Sequence, residues 1–375
     1  MPYAKLKNIG VIGLGIIGRG ISAHLRRKRF QVFVWNRTPR PVPNFVGSPA
    51  ELAELCDYIQ IFVSDDEALL QTVHRLSEKL TTKHIIFGHS TVAPNSMQAA
   101  AEIVEGHGAH FVEAPFTGSK IAAEKGELVY YVGGKPASLR EARLILEASS
   151  KRIIEIGEIG QATAVKIATN MLTAASVQAL AEALGVIQAL RVPLEKFAEA
   201  MQANASYSTT LAMKMPKMVQ RDFEPHFSVK HMLKDMQIAN QLGLLHYLDL
   251  GVSAAARDRL IEQIQLGHGD DDFSAVARKY LREAALVSNE QSQIEDQDEH
   301  ANSVAGAPAP DSAPASADLE KTRRERERVA ANAREATMLP EGETKIAARL
   351  RQGFLSQLVH RGKQLLRQPF SSREG

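Results

Sequence analysis

Residues 8–18 read Asn8-Ile9-Gly10-Val11-Ile12-Gly13-Leu14-Gly15-Ile16-Ile17-Gly18. Ile9, Val11 and Ile12 make a short β-branched run of the kind that fills a buried strand. Gly13, Gly15 and Gly18 then spell G-x-G-x-x-G, and the helical stretch Arg19–Arg29 follows. Strand, glycine turn and helix, in that order, is the context a dinucleotide-binding turn requires. The glycines let backbone N–H groups approach a pyrophosphate at a helix N-terminus, where the helix dipole favours negative charge. The candidate phosphate-binding residues are therefore Gly13, Leu14, Gly15, Ile16, Ile17 and Gly18.

The next strand, Gln31-Val32-Phe33-Val34-Trp35, ends in Asn36-Arg37-Thr38. A site for NAD expects an acid about 20 residues after the glycines, to bind the ribose hydroxyls. Asn36 stands there instead. An acid would repel a 2′-phosphate, whereas Asn36, Arg37 and Thr38 can donate hydrogen bonds to one and Arg37 adds its charge. The sequence predicts NADP, with NADPH preferred over NADH.

Alternation continues outward from this pair of strands. Ser48-Pro49 reads as an N-cap followed by a proline in the first helical position, opening Ser48–Leu55. Tyr58–Val63 reads as a strand, Ser64-Asp65-Asp66 as the cap of a helix over Glu67–Leu80, and Lys83–Gly88 as a strand. Pro94–Gly106 reads as a helix and Ala109–Val112 as a strand. This rhythm predicts a parallel sheet with helices on both faces. Ligands then lie beyond the carboxyl ends of the strands, which puts Val63, Ser64, Ser90 and Thr91 beside the cofactor. His89, at a strand end, reads as structural.

Glu113-Ala114-Pro115-Phe116-Thr117-Gly118-Ser119-Lys120 follows the last of these strands. Thr117, Gly118 and Ser119 can present hydroxyls and backbone N–H groups to a substrate carboxylate. Further strands over Leu128–Val132 and Arg152–Ile156 flank a helix over Leu139–Ser149. Then comes a run from Gly157 to Ala189 rich in Ala, Leu, Met and Gln, good helix formers all. A helix of ~30 residues would be ~45 Å long. It is apolar almost all round, so it reads as buried. Lys166 lies near its start with Asn170 one turn on, on the same face. An isolated buried ammonium is costly, so Lys166 must meet water, an anion or a substrate. From Pro193 to Leu281 the pattern is all helix, with a short last helix over Asp272–Leu281.

Composition bounds the rest. The 375 residues suffice for two domains and a tail, and the net charge of +2 gives no argument for nucleic acid. A single cysteine, Cys56, excludes an internal disulfide and a cysteine-based zinc cage, and no metal is expected. It suits a reducing cytoplasm. No secretory signal is read at the start, and Gln178, Glu182 and Gln188 break the apolar run in a way that favours a protein core over a membrane span. Residues 288–343 read as a disordered, charged linker. Residues 344–370 place Ile346, Leu350, Phe354 and Leu358 near one face among arginines and lysines. That pattern suits an anionic membrane surface, a partner protein or docking on the chain itself.

Over residues 7–282 these stretches resemble the β-hydroxyacid dehydrogenase family, which includes 3-hydroxyisobutyrate dehydrogenase. Four ordered blocks carry the likeness: Gly13–Gly18, Glu113–Ser119, Gly160 to Lys166 with Asn170, and Lys234-Asp235. Asn36-Arg37-Thr38, Lys230-His231-Met232 and Gly267-His268-Gly269-Asp270 resemble most the branch of glyoxylate and succinic semialdehyde reductases. The resemblance implies an α/β Rossmann-type doubly wound sheet over 1–158, then an all-α domain over 159–287 built on a long interdomain helix. It implies Lys166 as the catalytic lysine, Asn170 as its positioning partner, and Thr117, Gly118 and Ser119 around the substrate carboxylate. Lys234 would lie near the nicotinamide. The expected reaction interconverts a short aldehydo acid and its hydroxy acid with NADPH, in a homodimer or homotetramer. The alternatives are a dehydrogenase of the 3-hydroxyisobutyrate type and a non-catalytic NADP-binding scaffold. An imine reductase shares the architecture but usually lacks the lysine. Phe116 and Thr117 stand where the family commonly has Val and Ser, which puts the identity of the substrate in doubt.

Overall fold

The computed structural model describes residues 8–281. The expectations for 288–343 and 344–370 lie outside those residues. Residues 8–157 alternate strand and helix: β1 (Asn8–Ile12), α1 (Ile16–Arg27), β2 (Gln31–Trp35), α2 (Pro49–Leu55), β3 (Tyr58–Ile61) and α3 (Asp66–Ser77). Then come β4 (Ile85–Gly88), α4 (Pro94–Gly106), β5 (His110–Glu113), β6 (Phe116–Thr117) and α5 (Lys120–Lys125). β7 (Leu128–Gly133), α6 (Pro136–Glu147) and β8 (Ser150–Gly157) complete this half. The caps read from the sequence are in place. Ser48 Oγ accepts from Glu51 N at 3.0 Å with Pro49 in the first turn, and Asp65 Oδ1 accepts from Ala68 N at 2.9 Å.

The strands run β2-β1-β3-β4-β5-β7-β6 across one sheet, with β8 also paired to β7. β1 to β5 are parallel and finish level, because Ile12 pairs with Trp35 and Ile61, Ile61 with Gly88, and Gly88 with Glu113. That level edge gathers Gly13, Asn36, Phe62, His89 and Ala114 in one row, with Val63 and Ser90 one residue beyond it. The sheet is not parallel throughout, as the rhythm of the sequence suggested: β7 runs antiparallel to β5 and β6. Only β6 and the six-residue α5 separate β5 from β7, too little helix for a crossover back along the sheet. One core face packs Ile9, Val11, Ile21, Leu25 and Tyr130, and the other packs Ile12, Ile59, Leu69, Val73 and Phe111.

The second half is helical: α7 (Gln161–Ala189), α8 (Leu194–Gln202), α9 (Thr209–Gln220), α10 (Val229–Leu245), α11 (Gly251–Gln265) and a 3-10 helix over Phe273–Lys279. By length and composition α7 would pass for a membrane span. It serves instead as the axis of this half. Ile167, Val177, Leu180, Ala181 and Leu184 pack with Met215 and Met218 of α9, Met232 and Met236 of α10, and Leu260 of α11. Each of these Val, Leu, Ile and Met side chains stabilises the fold by roughly 1.5–3 kcal/mol when fully buried. Gly185, the one glycine in α7, is required by contact: a Cβ there would sit 2.8 Å from Tyr280 Cβ.

Three further expectations are corrected. α7 is not buried all round, since Leu172 is 72% and Val186 58% exposed on the side away from the core. The stretch expected as an α-helix over 272–281 holds a 3-10 helix, Phe273–Lys279, where Asp272 Oδ1 accepts from both Ser274 N and Ser274 Oγ and tightens the first turn. The sequence marks α9 only as part of a general helical pattern. Pro216 lies inside it, where sequence argues for a break, and buried Leu211, Met215 and Met218 hold it.

Candidate active site

The glycine turn is shaped by close contacts on two sides and open space on the third. Gly13 has φ +92°, and a Cβ there would lie 2.0 Å from Phe62 O. A Cβ on Gly18 would lie 1.9 Å from Gly13 O. These two glycines are demanded by the protein's own backbone. A Cβ on Gly15 would meet nothing within 4 Å. Gly15 faces the open trough at the N-terminus of α1, where a pyrophosphate needs close approach to backbone N–H groups.

Two cavities run along this edge and share Gly15, Phe62, Val63 and Ser64. The outer one, about 240 Å³, is walled by Asn36, Arg37 and Thr38 on one side and by α3 on the other. The inner one, about 260 Å³, is walled by Ile16, Ile17, Gly18 and Thr91 from the sheet half. The helical half supplies Phe227, His231, Lys234 and Asp235 to the same cavity. Every residue assigned to the cofactor from sequence lines one of the two cavities, except Leu14. Leu14 is buried, and its N–H donates to Asn36 Oδ1 at 2.8 Å. Asn36 also donates from Nδ2 to Thr38 O at 2.8 Å. Its amide is thus committed to the glycine turn and the loop, not free for a phosphate as its sequence position suggested. Arg37 and Thr38 are exposed.

Lys166 is reached from the inner cavity through a chain of hydrogen bonds. Its Nζ donates to Asn170 Oδ1 at 2.9 Å, the one-turn neighbour foreseen from spacing. Asn170 Nδ2 donates to Asp235 Oδ2 at 2.6 Å. Asp235 Oδ1 accepts from Lys234 Nζ at 2.7 Å, and Lys234 also donates to Thr91 O. α7, α10 and the end of the β4 strand are thereby joined in one polar line. Asp235 is 1% exposed, so its two oxygens must be satisfied from within. Burial lowers the Lys166 ammonium to about 8; the Asp235 carboxylate opposes that shift and the Lys234 charge adds to it. A lysine titrating near 8 holds a proton at neutral pH and releases it at little cost, which is what a general acid–base group requires.

The start of α7 is anchored by Glu113, buried at the end of β5. Its carboxylate accepts from Gly160 N at 2.7 Å and Thr163 N at 2.6 Å. Burial raises this carboxyl above the usual range against the pull of those donors. Glu113, grouped in the sequence with the substrate loop, is a cap that sets where Lys166 stands. Thr117 and Gly118 are exposed and Ser119 half-buried beyond β6. They line neither cavity, though Phe116 lines the inner one.

Several residues of the cavity wall were not singled out from sequence. Phe227 and His226 are held there by Asp272, which is 0% exposed. Asp272 accepts from His226 N at 2.9 Å, from Phe227 N at 3.2 Å, and from Lys214 Nζ at 2.7 and 2.8 Å. Phe273 N in turn donates to Phe227 O at 3.0 Å. His231 shares a 2.6 Å hydrogen bond with Ser228 at the start of α10. The position of Asp235, one residue after Lys234 and one turn after His231 on a helix, was the available signal. For Phe227 there was none, because it joins the site only through tertiary contacts. His89, expected from the sequence to be structural, lies in the wall of the inner cavity. It is buried, stacks on Phe62 with centroids 4.5 Å apart, and shares a 2.7 Å hydrogen bond with Ala114 O; burial lowers it to about 4.

Comparison with known proteins agrees with this division into halves. A model described as the NAD binding domain of 6-phosphogluconate dehydrogenase matches residues 8–157. One described as NAD-binding of NADP-dependent 3-hydroxyisobutyrate dehydrogenase matches residues 160–280. The chain is 31% identical over 287 residues to glyoxylate/succinic semialdehyde reductase 1 of Arabidopsis thaliana, covering 73% of this chain and 99% of that protein. It is 28% identical over 279 residues to the cytokine-like nuclear factor N-PAC of Mus musculus, of which it spans 51%. Among solved structures, that of Mycobacterium tuberculosis 3-hydroxyisobutyrate dehydrogenase with L-serine superposes with a TM-score of 0.66 at 23% identity. It covers 73% of this chain and 99% of that one, and shares the fold. The glycine turn at the edge of a doubly wound sheet, the long helix and these relationships together make the chain a member of the β-hydroxyacid dehydrogenase family, an NAD(P)-dependent oxidoreductase acting on CH–OH groups.

Proposed function

We propose that the protein reduces a short aldehydo acid to its hydroxy acid with NADPH, Lys166 acting as general acid, and that Lys166 serves as the base in the reverse direction. The observation that carries this reading is the line Lys166–Asn170–Asp235–Lys234 running from the long helix to the cavity beside the glycine turn. Residues Gly13–Gly18, Val63, Ser64 and Thr91 fit the cofactor, since Gly15 leaves room at the helix N-terminus and the two cavities join there. Arg37 and Thr38 fit a 2′-phosphate. When bound, the nicotinamide supplies a hydride to the carbonyl carbon.

Lys166 then stabilises the negative charge that grows on the carbonyl oxygen and delivers its Nζ proton there. Asn170 fixes the lysine's direction, because its carbonyl accepts from Nζ while its N–H₂ is held by Asp235. Lys234 places a second positive charge beside the site and donates to Asp235. Thr117, Gly118 and Ser119, with their hydroxyls and backbone N–H groups beside Phe116 of the inner wall, are the groups for the substrate carboxylate. Phe62, Phe116 and Phe227 on the inner wall keep water from the reacting carbon.

The relationship to the Arabidopsis reductase supports glyoxylate or succinic semialdehyde as substrate. The exposed Leu172 and Val186 of α7 support pairing of two copies through that helix, in a homodimer or homotetramer. The single buried thiol of Cys56 fits a cytoplasmic setting. The test is oxidation of NADPH and of NADH across glyoxylate, succinic semialdehyde and methylmalonate semialdehyde. Turnover of at least one with NADPH favoured over NADH is expected, and methylmalonate semialdehyde as the best substrate would favour the 3-hydroxyisobutyrate type. Tight NADPH binding with no turnover would overturn the reading. It would favour a scaffold, the reading to which the likeness to a nuclear factor lends weight.

A further inference from the structure

We propose that Arg75 is a second guanidinium for the 2′-phosphate of the cofactor, reaching it from the wall opposite Arg37. This rests on the NADPH reading above and adds to it a residue of α3 that no motif marks.

The argument begins with the face of the helix. Ala68, Gln71, Thr72 and Arg75 all line the outer cavity. Their spacing of three, four and seven residues places them in one stripe along α3. Leu69, Val73 and Leu76 lie on the opposite side and are fully buried against the sheet, so the stripe cannot rotate away from the cavity. Arg75 therefore stands over the same space as Arg37 and Thr38, one turn beyond Gln71.

Charge points the same way. Arg75 and Arg37 are both exposed and neither forms an ion pair within 4 Å among the described residues, although the Arg37 charge is near enough to help lower the Asp65 carboxyl. The acids at the start of α3 already hold hydrogen bonds within the protein: Asp66 Oδ1 accepts from Ala93 N at 2.9 Å. Asp65 accepts from Ala68 N and Ser64 Oγ, and Glu67 accepts from Gln71 Nε2 at 2.8 Å. Two guanidinium groups lining one cavity repel each other unless an anion lies between them, and Arg75 has no ion pair within 4 Å to offset this among the described residues. A phosphate monoester has three oxygens and accepts from two planar donors at once. A ribose carrying free hydroxyls offers neither the charge nor the oxygens, so Arg75 acts on the choice between the two cofactors and not on the reaction.

Binding of adenosine 2′,5′-bisphosphate and of adenosine 5′-monophosphate, measured by calorimetry on the full chain, tests this without any turnover. The wild type is expected to prefer the bisphosphate. Arg75→Gln should weaken the bisphosphate about tenfold, some 1.4 kcal/mol, and leave the monophosphate unchanged, with Arg75→Lys recovering part of the loss. A wild type without preference for the bisphosphate would overturn the NADPH reading and Arg75 with it. A preference that Arg37→Gln removes and Arg75→Gln leaves intact would overturn the role of Arg75 alone. Equal weakening of both ligands would assign Arg75 to the adenosine or to the stability of α3, and would also overturn it. Circular dichroism of each variant separates that last case from loss of fold.

Discussion

Asp235→Asn removes a charge while keeping the shape of the side chain, and its effect on Lys166 can be worked from the geometry. The lysine and the carboxylate are separated by two hydrogen bonds, of 2.9 and 2.6 Å, through the amide of Asn170. That places the charges roughly 7 Å apart, and at an effective dielectric of about 20 their attraction is about 2 kcal/mol. Its loss lowers the lysine by about 1–2 pH units. Lys166, already brought to about 8 by burial, would then titrate between about 6 and 7. Lys234, left without its carboxylate, reinforces the shift through its like charge. Reduction requires the protonated lysine, so kcat/KM for the aldehyde falls as pH rises through this value. At pH 7.5 the protonated fraction drops from about three quarters to about a tenth. The assay is kcat/KM for reduction against pH, in wild type and variant, with Asp235→Glu as the control that retains charge. An alkaline limb that stays near 8, or moves upward, would refute the electrostatic coupling.

The same burial has a consequence for stability. Lys166 has a folded value of about 8, below its ordinary 10.5, so the unfolded chain binds more protons and stability rises with pH between those values. Lys166→Met should therefore stabilise the fold at pH 7, by up to about 3 kcal/mol, and the gain should shrink toward pH 10; urea unfolding at both pH values measures it. Asp272→Asn should destabilise by about 3–5 kcal/mol, because it strands the buried Lys214 ammonium. It should also raise KM for the substrate by releasing the Phe227 loop. Thermal melts and steady-state kinetics check both effects, and adding Lys214→Met to Asp272→Asn should recover part of the loss, because it removes the stranded ammonium while the Asn oxygen still accepts from the backbone.

Much of the fold was legible because local signals agreed. The glycine turn, the Ser48-Pro49 and Asp65 caps and the β-branched strands each specified the same alternation. The antiparallel β7 was hidden because a strand's direction depends on what lies between it and its neighbour, and α5 is short enough to escape notice. α9 was hidden by Pro216, whose local preference is overridden by the buried methionines around it. Of the site, the pair Lys166 and Asn170 was visible through helical spacing alone. Glu113 was visible as a residue and not as a role. Its carboxylate meets Gly160 and Thr163, some fifty positions later, only when the sheet and the long helix are assembled. Asn36 shows the reverse case. Its place after β2 is right for a cofactor ligand, but its amide is taken by Leu14 and Thr38.

The most direct test of the central claim is a single-turnover comparison of wild type and Lys166→Met with NADPH and succinic semialdehyde. Cofactor binding is followed by nicotinamide fluorescence and hydride transfer by absorbance. The account predicts NADPH binding unchanged within about twofold and hydride transfer slowed by roughly 10²–10⁴, the usual contribution of a positioned proton donor. Transfer at the wild-type rate in the variant would contradict it.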